Sequence, residues 1–220
     1  MTDLRKSGLA LILGSIGGIV TMGIHPHASV GLAADQVQHL ALHSAIAHSL
    51  AIVSNVVMVL GACGLAQRLR APNRLAFAAL VVYLFGAVAV LIGTAVSGFI
   101  VPDIMVRMVE DTPAAAPQWH IAIVSIFAIN QAFSKIYAVA VSVAMVLWSV
   151  AALKAGGFGR ALALYGCIVA PVLVVAVCSG LMRLNVTGMT VVVLAQALWF
   201  IGVGLQLNKE GLKAEAAVAA

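Results

Sequence analysis

Six long apolar stretches separated by short polar connectors dominate the pattern along the chain. A membrane-spanning helix needs about 20 mostly apolar residues. The stretches do not alternate apolar and polar residues as transmembrane strands do, and backbone groups in lipid must bond internally, so each stretch predicts a helix. The expected fold is all-α, a polytopic membrane helix bundle that forms one domain over residues 1–220. The predicted spans are approximately Gly8–Ile24, Ala47–Ala66, Leu75–Val101, Ala132–Leu153, Ala161–Met182 and Val186–Leu207.

The composition supports this prediction and excludes two other classes of protein. Hydrophobic residues make up 63% of the chain and charged residues only 9%. A soluble domain carries about 25% charged residues, and a disordered chain combines low hydrophobicity with high charge. The lipid bilayer is therefore the first expected partner.

Lysine and arginine lie mainly on alternate connectors. By the positive-inside rule this asymmetry places both termini in the cytoplasm, and the Ala/Val/Gly-rich composition is typical of a bacterial inner membrane. The basic residues are spread over four short segments rather than gathered in one patch, so nucleic-acid binding is not expected. The residues that give this signal are Arg5, Lys6, Arg68, Arg70, Arg74, Lys154, Arg160, Lys209 and Lys213.

The first apolar stretch allows a second interpretation. Basic residues followed by an apolar run also resemble a secretory signal peptide. Gly14 and Gly18, four residues apart, are typical of close packing between spanning helices. This spacing favours an uncleaved first helix, and cleavage stays open as the alternative.

Similar segments at residues 21–26, 97–102 and 179–184 close the odd-numbered spans, and Met58 and Met145 occupy matching places in spans two and four. Related segments of this kind suggest a repeat of three helical hairpins, as in some transporters. Apolar helices also align with one another by composition alone, which is the competing explanation.

The six histidines all map to the outer side of the predicted topology. Asp35, His39 and His43 follow at intervals of four residues, so they form one stripe on an outward extension of the second helix. Two imidazoles at this spacing can ligate one metal. The leading hypothesis is an outward-facing site for zinc, copper or haem with His39 and His43 as primary ligands. Asp35 would ligate the metal or orient an imidazole, and His25, His27, His48 and His120 would complete the site.

Simpler explanations exist for the same residues. Asp35 and Gln38 fit a capping box at a helix start. A histidine at the membrane interface is satisfied by water or headgroups, and histidine also titrates near neutral pH, so a pH-sensing role is a third option.

A second group of polar residues lies on the fourth span. Asn130, Gln131 and Lys135, together with His48 and Asn55 on the second span, would wall a cavity open to the outer side. The alternative hypothesis is therefore a small-solute or ion transporter. Lys135 lies near the outer interface, where its ammonium can instead reach the headgroups.

A third hypothesis is a scaffold or assembly subunit, whose polar stripes contact another membrane protein or a second copy of the chain. No nucleophile, P-loop or zinc-protease motif occurs, so the sequence favours a non-enzymatic role without deciding it.

The segment from Asp103 to Asp111 predicts a short interfacial helix over the outer mouth of the bundle.

Overall fold

The computed structural model describes residues 1–26, 33–70, 74–112, 115–156 and 159–219, and no strand occurs within them. Helices account for nearly all of this part of the chain. In order they are α1 Asp3–Gly23, α2 Ala34–Leu69, α3 Leu75–Ala95, a π-helical segment Val96–Ile100, α4 Val101–Glu110, α5 Ala116–Ala155, α6 Arg160–Cys178 and α7 Val186–Ala219.

Within the described ranges, six helices are long and apolar enough to span a membrane: α1, α2, α5, α6, α7 and the continuous helix formed by α3, the π-helical segment and α4. This confirms the predicted all-α fold with six spanning helices, and the protein is a polytopic membrane protein. α5 has 40 residues. At a rise of 1.5 Å per residue it is about 60 Å long, so part of it extends beyond the hydrocarbon layer.

The helix ends define the two ends of the bundle. We call the end where α2 stops and α3 starts the basic end, because it carries Arg68, Arg70, Arg74 and Lys154. The opposite end, where α1 stops and α2 and α5 start, is the histidine end. The structure places His25, His39, His43 and His120 at or near the histidine end, and His48 a few turns into α2.

The third span differs from its prediction. The sequence predicts a span that stops near Val101 and a separate interfacial helix after it. Instead, α3 continues through the π-helical segment into α4 without a break, and the helix ends at Glu110. The N–H of Val101 donates to the carbonyl of Val96, five residues earlier, which is the hydrogen bond of a π-helix. The expected interfacial helix is therefore an extension of the third span.

The packing of the helices does not confirm the predicted repeat of three hairpins. α1 lies between α2 and α7, α3 packs along α5, and α6 packs mainly on α5. The first two hairpins are closely packed, whereas α6 and α7 contact each other only lightly. Met58 lines an internal cavity, whereas Met145 is fully buried in the core, so the two methionines that align in sequence have different surroundings.

Glycines bring α1 close to both of its neighbours. A Cβ at Gly14 would lie 2.9 Å from the carbonyl oxygen of Ser54 on α2, and one at Gly8 would lie 2.8 Å from the backbone nitrogen of Asn208 on α7. A Cβ at Gly18 would instead meet only Val193, at an ordinary 3.9 Å. Of the two glycines that the sequence singles out, only Gly14 lies at a close contact.

An aromatic cluster fills the bundle towards the basic end. It consists of Tyr83, Trp148, Trp199 and Phe200, all buried, and we call it the aromatic floor. The ring centroids of Tyr83 and Trp148 lie 5.5 Å apart, and those of Trp199 and Phe200 lie 5.0 Å apart. Such contacts between aromatic rings add to the energy of burial. The floor separates the histidine end from the basic end.

Two ion pairs between side chains tie the basic end of α7 to its neighbours. Arg68 Nε lies 2.7 Å from a carboxylate oxygen of Glu210, and Arg5 Nη1 lies 3.1 Å from one of Glu215. Both pairs are partly exposed, so each contributes little to stability on its own. Their geometric effect is to hold α1, α2 and α7 together below the aromatic floor.

A polar contact joins the end of α4 to the start of α5. The Asp111 carboxylate accepts hydrogen bonds from Trp119 Nε1, at 2.9 Å, and from the N–H of Thr112, at 2.7 Å. Both bonds favour the ionised carboxylate, so they hold the pKa of Asp111 below its ordinary value, with the Trp119 bond contributing most. Asp111 is fully exposed, and the contact sets the geometry of the connection rather than the stability of the fold.

Candidate functional site

A cavity of about 520 Å³ lies inside the bundle and reaches the histidine end. Its walls come from α1, α2, α3 with the π-helical segment, α4, α5 and α7. His25, Pro102 and Met105 line the cavity near the histidine end. Tyr83 and Phe200 of the aromatic floor close it towards the basic end. The backbone from Gly98 down to Tyr83 gives the cavity a depth of about 20 Å.

Polar side chains of α2 and α5 converge on this cavity. Asn55, Asn130, Gln131 and Ser134 all line it. Asn55 Nδ2 donates to the carbonyl of Ala87, and Gln131 Nε2 donates to the carbonyl of Leu184, each at 3.0 Å. These bonds fix the orientation of the two amides, because a backbone carbonyl can only accept.

None of the described residues that line the cavity is an aspartate, glutamate, lysine or arginine. Its surface is mainly apolar, with serine, threonine, asparagine, glutamine, tyrosine and histidine at separate points. Pockets for small organic molecules have this mixture of apolar walls and a few placed polar groups.

His48 is a buried polar residue of the cavity whose position is fixed by several contacts. Only 5% of its surface is exposed. Its Nδ1 lies 2.7 Å from the carbonyl oxygen of Ser44, one helical turn earlier, and 3.3 Å from the Ser44 hydroxyl. The same hydroxyl donates to the carbonyl of Ser97 in the π-helical segment, at 3.2 Å. His48 and Ser44 thus join α2 to the third span.

The π-helical segment makes room for this histidine. Gly98 packs directly on the His48 side chain, and a Cβ at this position would lie 2.7 Å from His48 Cγ. In a π-helix the carbonyl of residue i accepts the N–H of residue i+5, which for Ser97 is Pro102. Proline has no N–H, so the carbonyl of Ser97 lacks that donor. The Ser44 hydroxyl replaces that donor. Gly98 does not stand out in the sequence as a functional residue, although the small residues Ser97 and Gly98 before Pro102 are the signal that points to it.

His25 lies against His48 at the mouth of the cavity. The ring centroids are 5.0 Å apart in an edge-to-face arrangement, and His25 Nδ1 lies 3.0 Å from the carbonyl oxygen of Pro26. Two axial ligands of one haem stand on opposite faces of the porphyrin. Two rings in direct contact leave no space for a porphyrin between them, so this pair does not fit axial ligation of one haem.

The other predicted metal ligands do not meet at one site within the described residues. His39, His43 and Asp35 are exposed on α2, and His120 is exposed on α5. His27 lies outside the described residues. Among the residues that the structure describes, no group of three or more histidine, cysteine, aspartate or glutamate side chains could hold a metal ion.

The start of α2 differs from the predicted capping box. Asp35 lies inside the first turn, and the capping position is Ala33. Gln36 Oε1 accepts the N–H of Ala33 at 3.0 Å, whereas the sequence predicts the pair Asp35 and Gln38. The helix begins two residues earlier than the pattern indicates, so Gln36 rather than Gln38 bonds to the capping residue.

Lys135 does not line the cavity with its neighbours on α5. It is exposed and lies in a separate surface groove beside Val82 and Phe85 of α3. Ser134 lies near the centre of the cavity-facing side of α5, and the next residue is rotated by about 100° around the helix. Gln131 is near enough to that centre to line the cavity, whereas Lys135 faces outward.

Comparisons of the chain with models of protein families, with curated proteins and with solved structures find no match.

Proposed function

We propose that this membrane protein binds a small, uncharged, amphipathic molecule in the cavity at its histidine end. The convergence of polar side chains from α2 and α5 on one internal space carries this proposal. Amides, hydroxyls and imidazoles can orient such a ligand by hydrogen bonds, and the apolar walls gain energy by covering the rest of it. The absence of charged side chains among the described lining residues disfavours an ionic ligand.

This proposal is better supported than the two other hypotheses from the sequence. A metal site needs several ligands around one point, and the described histidines are distributed between the helix surface and the cavity. A scaffold would place its polar stripes towards a partner protein, whereas His48, Asn55, Asn130 and Gln131 point into the interior. Binding of a ligand in the cavity accounts for the inward position of these four polar side chains.

We further propose that the histidine end faces the outside of a bacterial cytoplasmic membrane and that both termini are cytoplasmic. The distribution of lysine and arginine supports this orientation. The aromatic floor and the two ion pairs close the basic end, as expected for a solute carrier that is open to one side. Transport is therefore the second candidate function for the same cavity.

Replacement of Ser134 by cysteine tests the proposed orientation and the carrier proposal together. We expect Ser134→Cys, in a Cys178→Ala background, to react with the impermeant cation MTSET in right-side-out vesicles, because the cavity opens to that side. The parent Cys178→Ala protein is the control for reaction at Cys63 and Cys167. Reaction also in inside-out vesicles supports a carrier. Reaction in inside-out vesicles alone would contradict the proposed orientation.

Ligand binding is tested with a neutral aromatic alcohol in place of the unknown ligand. We expect the protein in lipid nanodiscs to bind 1-naphthol above the level of empty nanodiscs, and to bind naphthalene-1-sulfonate no more than empty nanodiscs do. Ala51 lines the cavity, so Ala51→Phe should fill it and reduce 1-naphthol binding by at least tenfold. Equilibrium dialysis with fluorescence detection measures both ligands.

The matched control is Ala132→Phe, which adds the same ring to an exposed position on α5 outside the cavity. It should bind 1-naphthol as the unmodified protein does. Equal loss of binding in the two variants, or no binding by the unmodified protein, would count against the proposed site.

A further inference from the structure

We infer that the ligand of this cavity presents a hydrogen-bond donor, such as an alcohol or phenol hydroxyl, to Nε2 of His48. This inference rests on the proposed function and adds the chemical class of the ligand and the residue that selects it. The hydrogen-bonding pattern of the ring carries it, together with the lack of charged groups among the described lining residues.

The partner of Nδ1 determines which nitrogen of His48 carries the lone pair. The carbonyl of Ser44 can only accept a hydrogen bond, so Nδ1 of His48 carries the proton in the 2.7 Å contact. In the neutral ring the lone pair then lies on Nε2. No described residue forms a hydrogen bond with Nε2, and His48 lines the cavity.

The surroundings keep His48 a hydrogen-bond acceptor. A doubly protonated ring would donate from both nitrogens and would need a nearby anion to compensate its charge. The described residues that line the cavity include no carboxylate, and the nearest ring is another imidazole, that of His25. A ligand with a hydroxyl satisfies Nε2, whereas an ether or a hydrocarbon of the same shape leaves it unpaired.

The ring is also held in place before any ligand arrives. The Ser44 hydroxyl contacts Nδ1 and donates to the carbonyl of Ser97, and Gly98 packs against the Cβ side of the imidazole. These contacts come from two helices, so they restrict rotation of the ring. A fixed acceptor loses little conformational entropy when it receives a hydrogen bond, which favours discrimination by His48.

The test compares two probes that differ by the donor alone, 1-naphthol and 1-methoxynaphthalene. In nanodiscs we expect the unmodified protein to prefer 1-naphthol by about fivefold more than His48→Phe does, which corresponds to one net hydrogen bond. His48→Gln keeps an acceptor of similar reach and should keep part of the preference. Empty nanodiscs correct for the different partition of the two probes into lipid.

A second measurement uses the unmodified protein and follows the His48 ring directly by NMR. With 15N-histidine in the unmodified protein, the Nε2 resonance of His48 should shift when 1-naphthol is added and stay in place with 1-methoxynaphthalene. Binding of both probes with equal preference in all three proteins, or equal shifts with both probes, would overturn the role of His48 and leave the cavity as a binding site. Failure of both probes to bind would instead overturn the proposed function itself.

Discussion

Replacement of Trp148 by alanine is expected to lower the free energy of unfolding by about 3–5 kcal/mol, the usual cost of removing a fully buried large aromatic ring. Trp148 is 0% exposed and contacts Tyr83, Trp199 and Phe200 of the aromatic floor. Its Nε1 also donates to the carbonyl of Ala76 at 3.1 Å. The ring therefore joins α3, α5 and α7, and its loss leaves a cavity where they meet.

Titration of the purified protein in mild detergent with SDS, followed by circular dichroism, measures this loss of stability. Trp148→Phe keeps most of the packing and loses the hydrogen bond, so it should cost only about 1 kcal/mol beyond the loss of ring volume. Phe85→Ala is the control, because Phe85 is 65% exposed on the outside of α3. If Phe85→Ala destabilises the protein as much as Trp148→Ala, the floor is not the centre of the fold.

Replacement of Gly98 by alanine is expected to lower the free energy of unfolding by about 1–3 kcal/mol and to abolish detectable binding of 1-naphthol. The new methyl group would overlap the Cβ and Cγ atoms of His48. These atoms lie close to the α2 backbone and cannot rotate away, so α2 and the π-helical segment must move apart. That movement also breaks the contact between the Ser44 hydroxyl and the carbonyl of Ser97.

Gly23→Ala is the matched control, since a Cβ at Gly23 meets nothing within 4 Å. It should leave both the SDS midpoint and 1-naphthol binding unchanged, or raise the midpoint slightly, because alanine loses less backbone entropy on folding. Unchanged stability and unchanged binding in Gly98→Ala would show that the π-helical segment does not constrain His48.

The polar residues that the sequence proposes for a transport cavity lie in different places in the structure. Asn55, Asn130 and Gln131 line the internal cavity together with His48, as the alternative hypothesis expects. Lys135 does not, because one residue of rotation on α5 moves it from the interior to the surface. Gly98 has no polar pattern of its own, and its role follows from a contact with His48 on a helix that is distant in sequence.

The sequence by itself determined the number and type of spanning helices, because a bilayer requires long apolar segments with internally bonded backbones, and such segments are visible in a single chain. Only the tertiary structure decided which polar residues meet. A spanning helix is apolar on its lipid side and on its packed side, so hydrophobic periodicity does not fix its rotation. Close contacts such as that between Gly98 and His48 set that rotation, and they direct His48 into the cavity.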